Sequence, residues 1–233
     1  MRRKKNLIPR LGRCAEFLVA EPEAKKGRWL EKTGFSRLFL ELGCGKGRFT
    51  VETAKTLEDA LLVAVERVPD AMVVAAERAK AEELKNVRFI DMDAQKLADV
   101  FAGGEADRIY INFCDPWPGK RHAKRRLTAG GFLAIYRRVL KDGGEIHFKT
   151  DNRELFEFSL EEFAANGFSL HEVTRDLHEN GPCGVMTDYE RKFTAQGVKI
   201  NRCVARKEAM EHEIPSGAVD GEGGAPRDEA SAL

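Results

Sequence analysis

The stretch Arg37-Leu-Phe-Leu-Glu-Leu-Gly-Cys-Gly-Lys-Gly47 determines the fold class of this chain. Its first part, Leu38–Leu42, is a short apolar run typical of a strand that is buried on both faces of a parallel sheet. The glycines that follow allow a tight turn and a close approach of backbone before a helix, which we predict from about Arg48 to Leu57. A strand, a glycine-rich turn and a helix in this order predict an α/β fold, although the turn alone does not identify a ligand.

Strands and helices alternate along the rest of the chain. The further predicted strands are Leu61–Val65, Asn86–Asp91, one that starts at about Ile109 and ends near Asp115, Glu145–Thr150, Phe168–Val173 and Val198–Val204. The further predicted helices are Pro69–Leu84, one between Thr128 as N-cap and Gly143 as C-cap, and one that ends at Phe163. This alternation predicts a doubly wound α/β sheet of seven strands, with an antiparallel pair that closes it.

The composition indicates one soluble, globular domain. The chain has 233 residues, of which 42% are hydrophobic and 33% are charged, so it can form a core of ordinary size. No apolar run approaches the roughly 20 residues of a membrane span, and no signal-peptide core follows the basic start. We therefore expect a cytoplasmic protein with no membrane partner. The five cysteines include no Cys-x-x-Cys pair, which argues against disulfides and against a metal site.

The charges are unevenly distributed and suggest three parts. The net charge of the whole chain is +1, but seven acidic residues and one basic residue lie from Glu208 onward, so the preceding residues carry +7. A basic body is compatible with nucleic-acid binding. We predict a basic N-terminal arm (1–36), which either contacts phosphates or is a frayed terminus, a folded domain (37–207) and an acidic, Gly-rich, disordered tail (208–233).

A second stretch, Tyr110–Thr128, places polar and aromatic side chains where a strand ends. Its two prolines cannot donate to a sheet ladder, so the strand must end near Asp115. Asn112, Asp115 and Trp117 then lie at a carboxyl end, where open α/β sheets bind ligands. Five Lys/Arg follow between Lys120 and Arg126. This arrangement suits a nucleobase with a trailing phosphate backbone, although a turn followed by a solvated charged segment is the simpler interpretation.

The same stretch resembles the transfer-RNA guanine-N7 methyltransferases. Their hallmark is Asn-Phe-x-Asp-Pro-Trp-Pro followed by Arg-His-x-Lys-Arg-Arg-Leu-Thr, which corresponds here to Asn112–Pro118 and Arg121–Thr128. Thr187–Phe193 matches another motif of that family. The chain departs from the family at Gly119, where a lysine usually stands, and Lys120 is the nearest replacement.

The resemblance extends from about Leu38 to Arg206 and implies a Rossmann-like class I methyltransferase fold. The implied cofactor is S-adenosylmethionine, and the implied partner is tRNA. The implied reaction transfers a methyl group to N7 of a guanine in the variable loop of tRNA.

Several residues are candidates for binding the cofactor. Glu66 ends the second strand about 20 residues after the glycines, where a carboxylate commonly accepts both hydroxyls of a ribose. Glu41 could balance a cationic ligand. The resemblance implies an acid after the third strand that faces the adenine amino group, for which Asp93 fits and Asp91 competes. The predicted cofactor-binding residues are Glu41, Gly43, Glu66, Asp93, Asn112 and Asp115.

The resemblance also implies roles toward the guanine. N7 of guanine carries a lone pair and no proton, so its attack on a methyl group requires no base. We predict that Asp115 is catalytic, because a carboxylate near the ring stabilises the positive charge that develops on it. Trp117 could stack on a base. The predicted substrate-binding residues are Lys120, Asp151, Thr187, Asp188, Tyr189 and Glu190.

Two of these predictions have a simpler structural explanation. Asp151 or Asn152 would also cap the following helix. Thr187 and Glu190 have the spacing of a capping box, and we expect the cap to hold both where the guanine can meet them.

Other functions are compatible with parts of the sequence. A nicotinamide-dependent oxidoreductase would use the glycine turn and Glu66, and an RNA-binding module without catalysis would use the basic segment. An enzyme that methylates amino groups through an Asp-Pro-Pro-aromatic motif is a third alternative, but Trp117 replaces its second proline. The sequence allows either a monomer or a homodimer.

Overall fold

A seven-stranded mixed sheet forms the centre of the computed structural model, which describes residues 6–209. The strands are β1 (Arg37–Leu42), β2 (Ala60–Glu66), β3 (Val87–Asp91), β4 (Ala106–Asn112), β5 (Leu140–Thr150), β6 (Phe168–Thr174) and β7 (Asn201–Lys207). Their order across the sheet is β3-β2-β1-β4-β5-β7-β6. The strands β1 to β5 are parallel, whereas β7 is antiparallel to both β5 and β6. The predicted doubly wound sheet with an antiparallel closing strand is thus confirmed.

Helices cover both faces of this sheet. The helices are α1 (Leu7–Gly12), α2 (Arg48–Thr56), α3 (Pro69–Ala81), α4 (Leu97–Val100), α5 (Gly130–Val139), α6 (Arg153–Ala165) and α7 (Asp188–Ala195). The core between α4, α5, α6 and one face of the sheet is separate from the core that α2 and α3 form on the other face. No helix within residues 6–209 is long and apolar enough to cross a membrane.

The position of β1 between the two cores explains why its sequence is continuously apolar. Leu38, Leu40 and Leu42 belong to the core beneath α5 and α6, while Phe39 belongs to the core beneath α2. Each of these side chains is at most 1% exposed. Burial of one such side chain contributes about 1.5–3 kcal/mol to folding. A strand between two helical layers therefore requires apolar residues on both faces.

The glycine turn after β1 brings α2 close to α3. Gly47 has a φ angle of +76°, and a Cβ atom at this position would lie 2.4 Å from the Cβ of Ala75 on α3. A side chain at Gly47 would therefore force the two helices apart. This close packing places the start of α2 directly behind the carboxyl end of β1.

The predicted caps of α5 were wrong. Thr128 does not cap the helix, because its hydroxyl is buried and forms a 2.7 Å hydrogen bond with the Ser159 hydroxyl of α6. The helix begins instead at Gly130, whose amide donates to the carboxylate of Glu162 at 2.6 Å. At the other end α5 stops at Val139 and passes directly into β5, so the predicted C-cap glycine lies inside an irregular part of that strand.

The last strand begins later than predicted. Val198 and Ile200 were expected to belong to it, but the Val198 amide donates to the Phe193 carbonyl, and the Ile200 carbonyl accepts from the Leu177 amide. These turn contacts take the place of pairing with the neighbouring strands, so β7 starts at Asn201.

The segment that precedes β1 packs on the fold in the described part of the chain. Leu7, Phe17 and Trp29 are each at most 5% exposed. The indole of Trp29 donates a 3.0 Å hydrogen bond to the carbonyl of Val100. Residues 1–5 and 210–233 lie outside the described residues, and so does nearly all of the predicted acidic tail.

Candidate active site

A cavity of about 540 Å³ opens at the carboxyl ends of β1, β2, β3 and β4. This volume suits a cofactor-sized ligand. The predicted site residues on its walls are Gly43, Glu66, Asp93, Asn112, Asp115, Trp117 and Tyr189. Because parallel strands end at the same edge of the sheet, residues far apart in the sequence meet here.

The end of β2 fixes Glu66 against the glycine turn. Its Oε2 accepts a hydrogen bond from the Gly45 amide, and its Oε1 accepts one from the Val68 amide, both at 2.9 Å. The residue is 8% exposed and lines the cavity. A carboxylate oxygen accepts more than one hydrogen bond, so Glu66 is held in place and can still accept from a ligand.

Two features of the inner wall fit a bound ligand. The Nδ2 atom of Asn112 is buried and has no hydrogen-bond partner within residues 6–209. An unpaired buried donor costs about 1–3 kcal/mol, so a ligand acceptor at this position would be favourable. Gly43 has a φ angle of +77°, and no atom lies within 4 Å of the position that a Cβ would occupy. The backbone is therefore open to close approach by a ligand.

Of the two acids considered after β3, Asp93 lies on the cavity wall. Its Oδ1 accepts a 2.9 Å hydrogen bond from the Gln95 amide, which caps a short 3-10 helix at Ala94–Lys96. Asp91 is exposed and is not among the residues that line the cavity. The geometry therefore favours Asp93, which spacing alone could not separate from Asp91.

Glu41 is not brought to the cavity wall. Its side chain shares a face of β1 with Phe39 and is 2% exposed beneath the glycine turn. Its Oε2 accepts a 2.5 Å hydrogen bond from the Thr50 hydroxyl of α2. Burial raises the pKa of Glu41 to about 7. The alternation of side chains along a strand directs residue 41 toward α2.

The mouth of the cavity contains Asp115 and Trp117. The carboxylate of Asp115 is 69% exposed and lies 3.7 Å from the guanidinium of Arg67, at the end of β2. Trp117 has a φ angle of +40°, which is unusual for a bulky residue. The guanidinium of Arg125 lies 3.6 Å from the centre of the Trp117 ring. One face of this predicted stacking residue is therefore covered by a cation.

The basic segment after the mouth is not uniformly exposed. Lys120–Arg125 forms a 3-10 helix in which Lys120, Arg121, Lys124 and Arg125 are exposed. Arg126, by contrast, is 5% exposed. Its guanidinium donates to the carbonyls of Pro116 and Trp117, at 3.0 and 3.3 Å. Arg126 therefore holds the turn that presents Trp117, which the run of charges in the sequence did not indicate.

The helix α7 lies across the mouth. Thr187 and Glu190 form the predicted capping box, with the Glu190 amide donating to the Thr187 hydroxyl at 2.9 Å and the Thr187 amide donating to the Glu190 carboxylate at 3.2 Å. Tyr189 is 63% exposed, lines the cavity and stacks on Phe193. Asp188 faces away from the cavity and forms ion pairs with Arg48 and Arg78, at 3.4 and 3.0 Å.

Three predicted substrate residues have different surroundings. Glu190 is fully buried. Asp151 is half-buried directly after β5, and Asn152 performs the helix capping by accepting a 2.7 Å hydrogen bond from the Leu155 amide. The Asp151 carboxylate is therefore not used as the cap. Lys120 is exposed and lies outside the cavity wall.

Comparisons with known proteins agree with this architecture. The family described as "Putative methyltransferase" matches residues 36–203. A tRNA (guanine-N(7)-)-methyltransferase of Geobacillus thermodenitrificans is 46% identical over 82% of this chain and 89% of that protein. Another, of Clostridioides difficile, is 44% identical over 88% of this chain and 98% of that protein. The crystal structure of the 16S rRNA methyltransferase KamB is similar with a TM-score of 0.58, covering 76% of this chain and 91% of that chain at 15% identity, which supports the fold alone.

The sheet order, together with the family match over residues 36–203, thus defines a Rossmann-like methyltransferase. The two relatives above specify the family further. The chain belongs to the tRNA (guanine-N(7)-)-methyltransferase family.

Proposed function

We propose that this protein transfers a methyl group from S-adenosylmethionine to N7 of a guanine in the variable loop of tRNA. Family membership supports the reaction. The observation that carries the proposal is the continuity of the site, because the cavity of about 540 Å³ passes through Asp115 and Trp117 into an exposed basic segment. A small cofactor and a polyanion can therefore meet at one carboxylate.

The inner part of the cavity fits S-adenosylmethionine. Glu66 and Asp93 both line the cavity, and we assign Glu66 to accept hydrogen bonds from the ribose hydroxyls and Asp93 to accept one from the adenine amino group. The unpaired amide of Asn112 and the open space beside Gly43 fit the polar, amino-acid end of the cofactor. When bound, the cofactor supplies a methyl group on a sulfonium centre.

Asp115 acts on the purine and not on a proton. The N7 atom of guanine already carries the lone pair that attacks, so the carboxylate orients the ring and stabilises the positive charge that develops on it. In this structure Asp115 is paired with Arg67, and both side chains are at least 60% exposed. Exposed ion pairs are weak, at about 0–1 kcal/mol, so the guanine can replace Arg67 as the partner of Asp115.

The exposed cations bind the RNA backbone. Lys120, Arg121, Lys124 and Arg125 lie beside the mouth, where phosphates would flank an inserted guanine. We assign Asp151, Thr187 and Tyr189 to contacts with the base, and Tyr189 is the one of the three that lines the cavity. Tyr189 offers an exposed ring for stacking, whereas Trp117 already has Arg125 on one face.

The test is incubation of the purified protein with bulk tRNA and isotope-labelled S-adenosylmethionine, followed by mass spectrometry of the nucleosides. Labelled 7-methylguanosine that maps to variable-loop fragments supports the proposal. Label in another nucleoside or in another loop contradicts it. Calorimetry with S-adenosylmethionine and with a nicotinamide dinucleotide tests the cofactor independently, and preference for the latter would overturn the assignment.

A further inference from the structure

Lys149, near the end of β5, is a buried lysine that connects the sheet to the segment before α7. Its side chain is 11% exposed. The ammonium group donates to both oxygens of Glu190, at 3.1 and 3.2 Å, and to the carbonyl of Val185 at 3.0 Å. Burial lowers the pKa of Lys149, and the Glu190 carboxylate opposes this shift. None of these contacts is part of the cavity wall.

The other contacts of Glu190 complete a closed network. His178 Nδ1 accepts a 3.1 Å hydrogen bond from the Cys183 amide, so the ring proton is on Nε2, which donates to Glu190 at 3.0 Å. The Thr187 amide donates to the second carboxylate oxygen at 3.2 Å. With the two contacts from Lys149, three donor groups make four hydrogen bonds to a fully buried carboxylate. The hydrogen-bond acceptor sites of the Glu190 carboxylate are thus filled by protein donors, with no nucleobase present.

We propose that Lys149 is a positioning residue for the substrate guanine. Together with Glu190 and His178 it holds the capping box of α7, and thereby Thr187 and Tyr189, at the mouth of the cavity. This inference rests on the proposed function. Glu190 then acts by fixing α7 and not by contacting the guanine.

The outer contacts of α7 cannot replace this network. Asp188 pairs with Arg48 and Arg78, but the three side chains are 34–43% exposed. Exposed pairs of this kind contribute little to holding a helix. Breaking a buried pair is far more costly, because one charge is left buried without a partner. The orientation of α7 therefore depends on its inner side.

The test compares Lys149→Met with the parent in methylation of tRNA and in hydrogen exchange. We expect the KM for tRNA to rise about tenfold or more, while kcat at saturating tRNA stays within about threefold. The amides of α7 should exchange about tenfold faster, while those of β1 and β2 keep their protection. Glu190→Gln should give the same pattern, and the double variant should be no worse than either single variant, because both changes remove one network.

The matched control is Asp142→Asn. This change removes an ion pair with Lys207 near the start of β5, at the opposite end of that strand from Lys149, and should leave kinetics and exchange at parent values. An unchanged KM for tRNA in Lys149→Met would overturn the proposal. A large fall in kcat at saturating tRNA would also overturn it, since Lys149 or Glu190 would then touch the reacting base. Additive effects in the double variant would show that the residues act separately.

If Lys149→Met does not fold, His178→Ala supplies the decisive measurement. It removes one neutral donor and leaves the ion pair, so we expect a smaller rise in KM and faster exchange confined to α7. Parent-like kinetics in a His178→Ala protein with loosened α7 would overturn the proposal. Failure of the proposed function is distinguishable, because the parent would then not methylate tRNA at all, while exchange would still report on the network.

Discussion

At the scale of single residues, Asp115 is the candidate for a catalytic role and not a structural one, because its carboxylate is 69% exposed at the mouth of the cavity. Asp115→Asn should reduce single-turnover methylation at saturating tRNA by about 10²–10³, because its contribution grows as charge develops on the purine. The affinity for tRNA should change little. The exposed Asp91, outside the cavity, supplies the matched control Asp91→Asn. A parent rate in Asp115→Asn would reject the electrostatic role.

Glu66 makes a separate prediction about the cofactor. Two ribose hydrogen bonds at about 1 kcal/mol each predict a loss of roughly tenfold or more in S-adenosylmethionine affinity for Glu66→Ala. Part of this loss reflects the freed amides of Gly45 and Val68, so Glu66→Gln, which keeps acceptor capacity, should lose less. Calorimetry measures both variants, and filter binding should show unaltered tRNA affinity. Equal cofactor affinity in all three proteins would remove Glu66 from the site.

The buried carboxyl group of Glu41 should make the stability of the fold depend on pH. Its pKa is about 7 in the folded protein against 4.5 for an ordinary glutamate. The folded state therefore retains a proton that the unfolded state releases, and stability falls as pH rises from about 4.5 to about 7, by on the order of 2–3 kcal/mol. Glu41→Gln should flatten this decline in melting temperature, whereas the exposed Glu58→Gln should follow the parent. An unchanged slope in Glu41→Gln would contradict the assignment.

At the scale of elements, the exposed cations of the 3-10 helix at Lys120–Arg125 should act differently from Arg126, the buried arginine that follows it. Replacing Lys124 and Arg125 by Ala should weaken tRNA binding and reduce the slope of log affinity against log salt by roughly one unit for each lost phosphate contact. Arg126→Ala should mainly lower the melting temperature, because its guanidinium is buried on the Pro116–Trp117 turn. Filter binding at several salt concentrations, with thermal unfolding, distinguishes them. A parent slope in the double variant would place the phosphates elsewhere.

The same scale shows what the sequence could predict. The strand β1 and its turn were predictable because burial on both faces and a positive φ angle restrict the residues locally. The capping box at Thr187 was predictable because its two hydrogen bonds join residues only three positions apart. The role of Thr128 was not, since its hydrogen bond to Ser159 depends on how two helices pack. The partner of Glu190 lies 41 positions away, so no local pattern could reveal it.

At the scale of the whole molecule, charge should control encounter with tRNA. Removing residues 210–233 deletes six acidic residues and one arginine, which changes the net charge from +1 to +6. We expect tighter tRNA binding at low salt and convergence with the parent at high salt. A full-length variant with the six carboxylates changed to amides carries +7, because Arg227 remains, and as the control it should bind tRNA at low salt at least as tightly as the truncation. Equal affinity of all forms at low salt would contradict this prediction.

The distribution of the two tryptophans gives the protein a built-in optical reporter. Trp29 is 2% exposed, stacks on Phe101 and does not line the cavity, whereas Trp117 lines the cavity beneath the guanidinium of Arg125. A base or phosphate that displaces Arg125 would change the environment of one indole and leave the other constant. In a Trp29→Phe protein the emission spectrum would then come from Trp117 alone, so stopped-flow fluorescence could resolve the arrival of tRNA from the methyl transfer that follows.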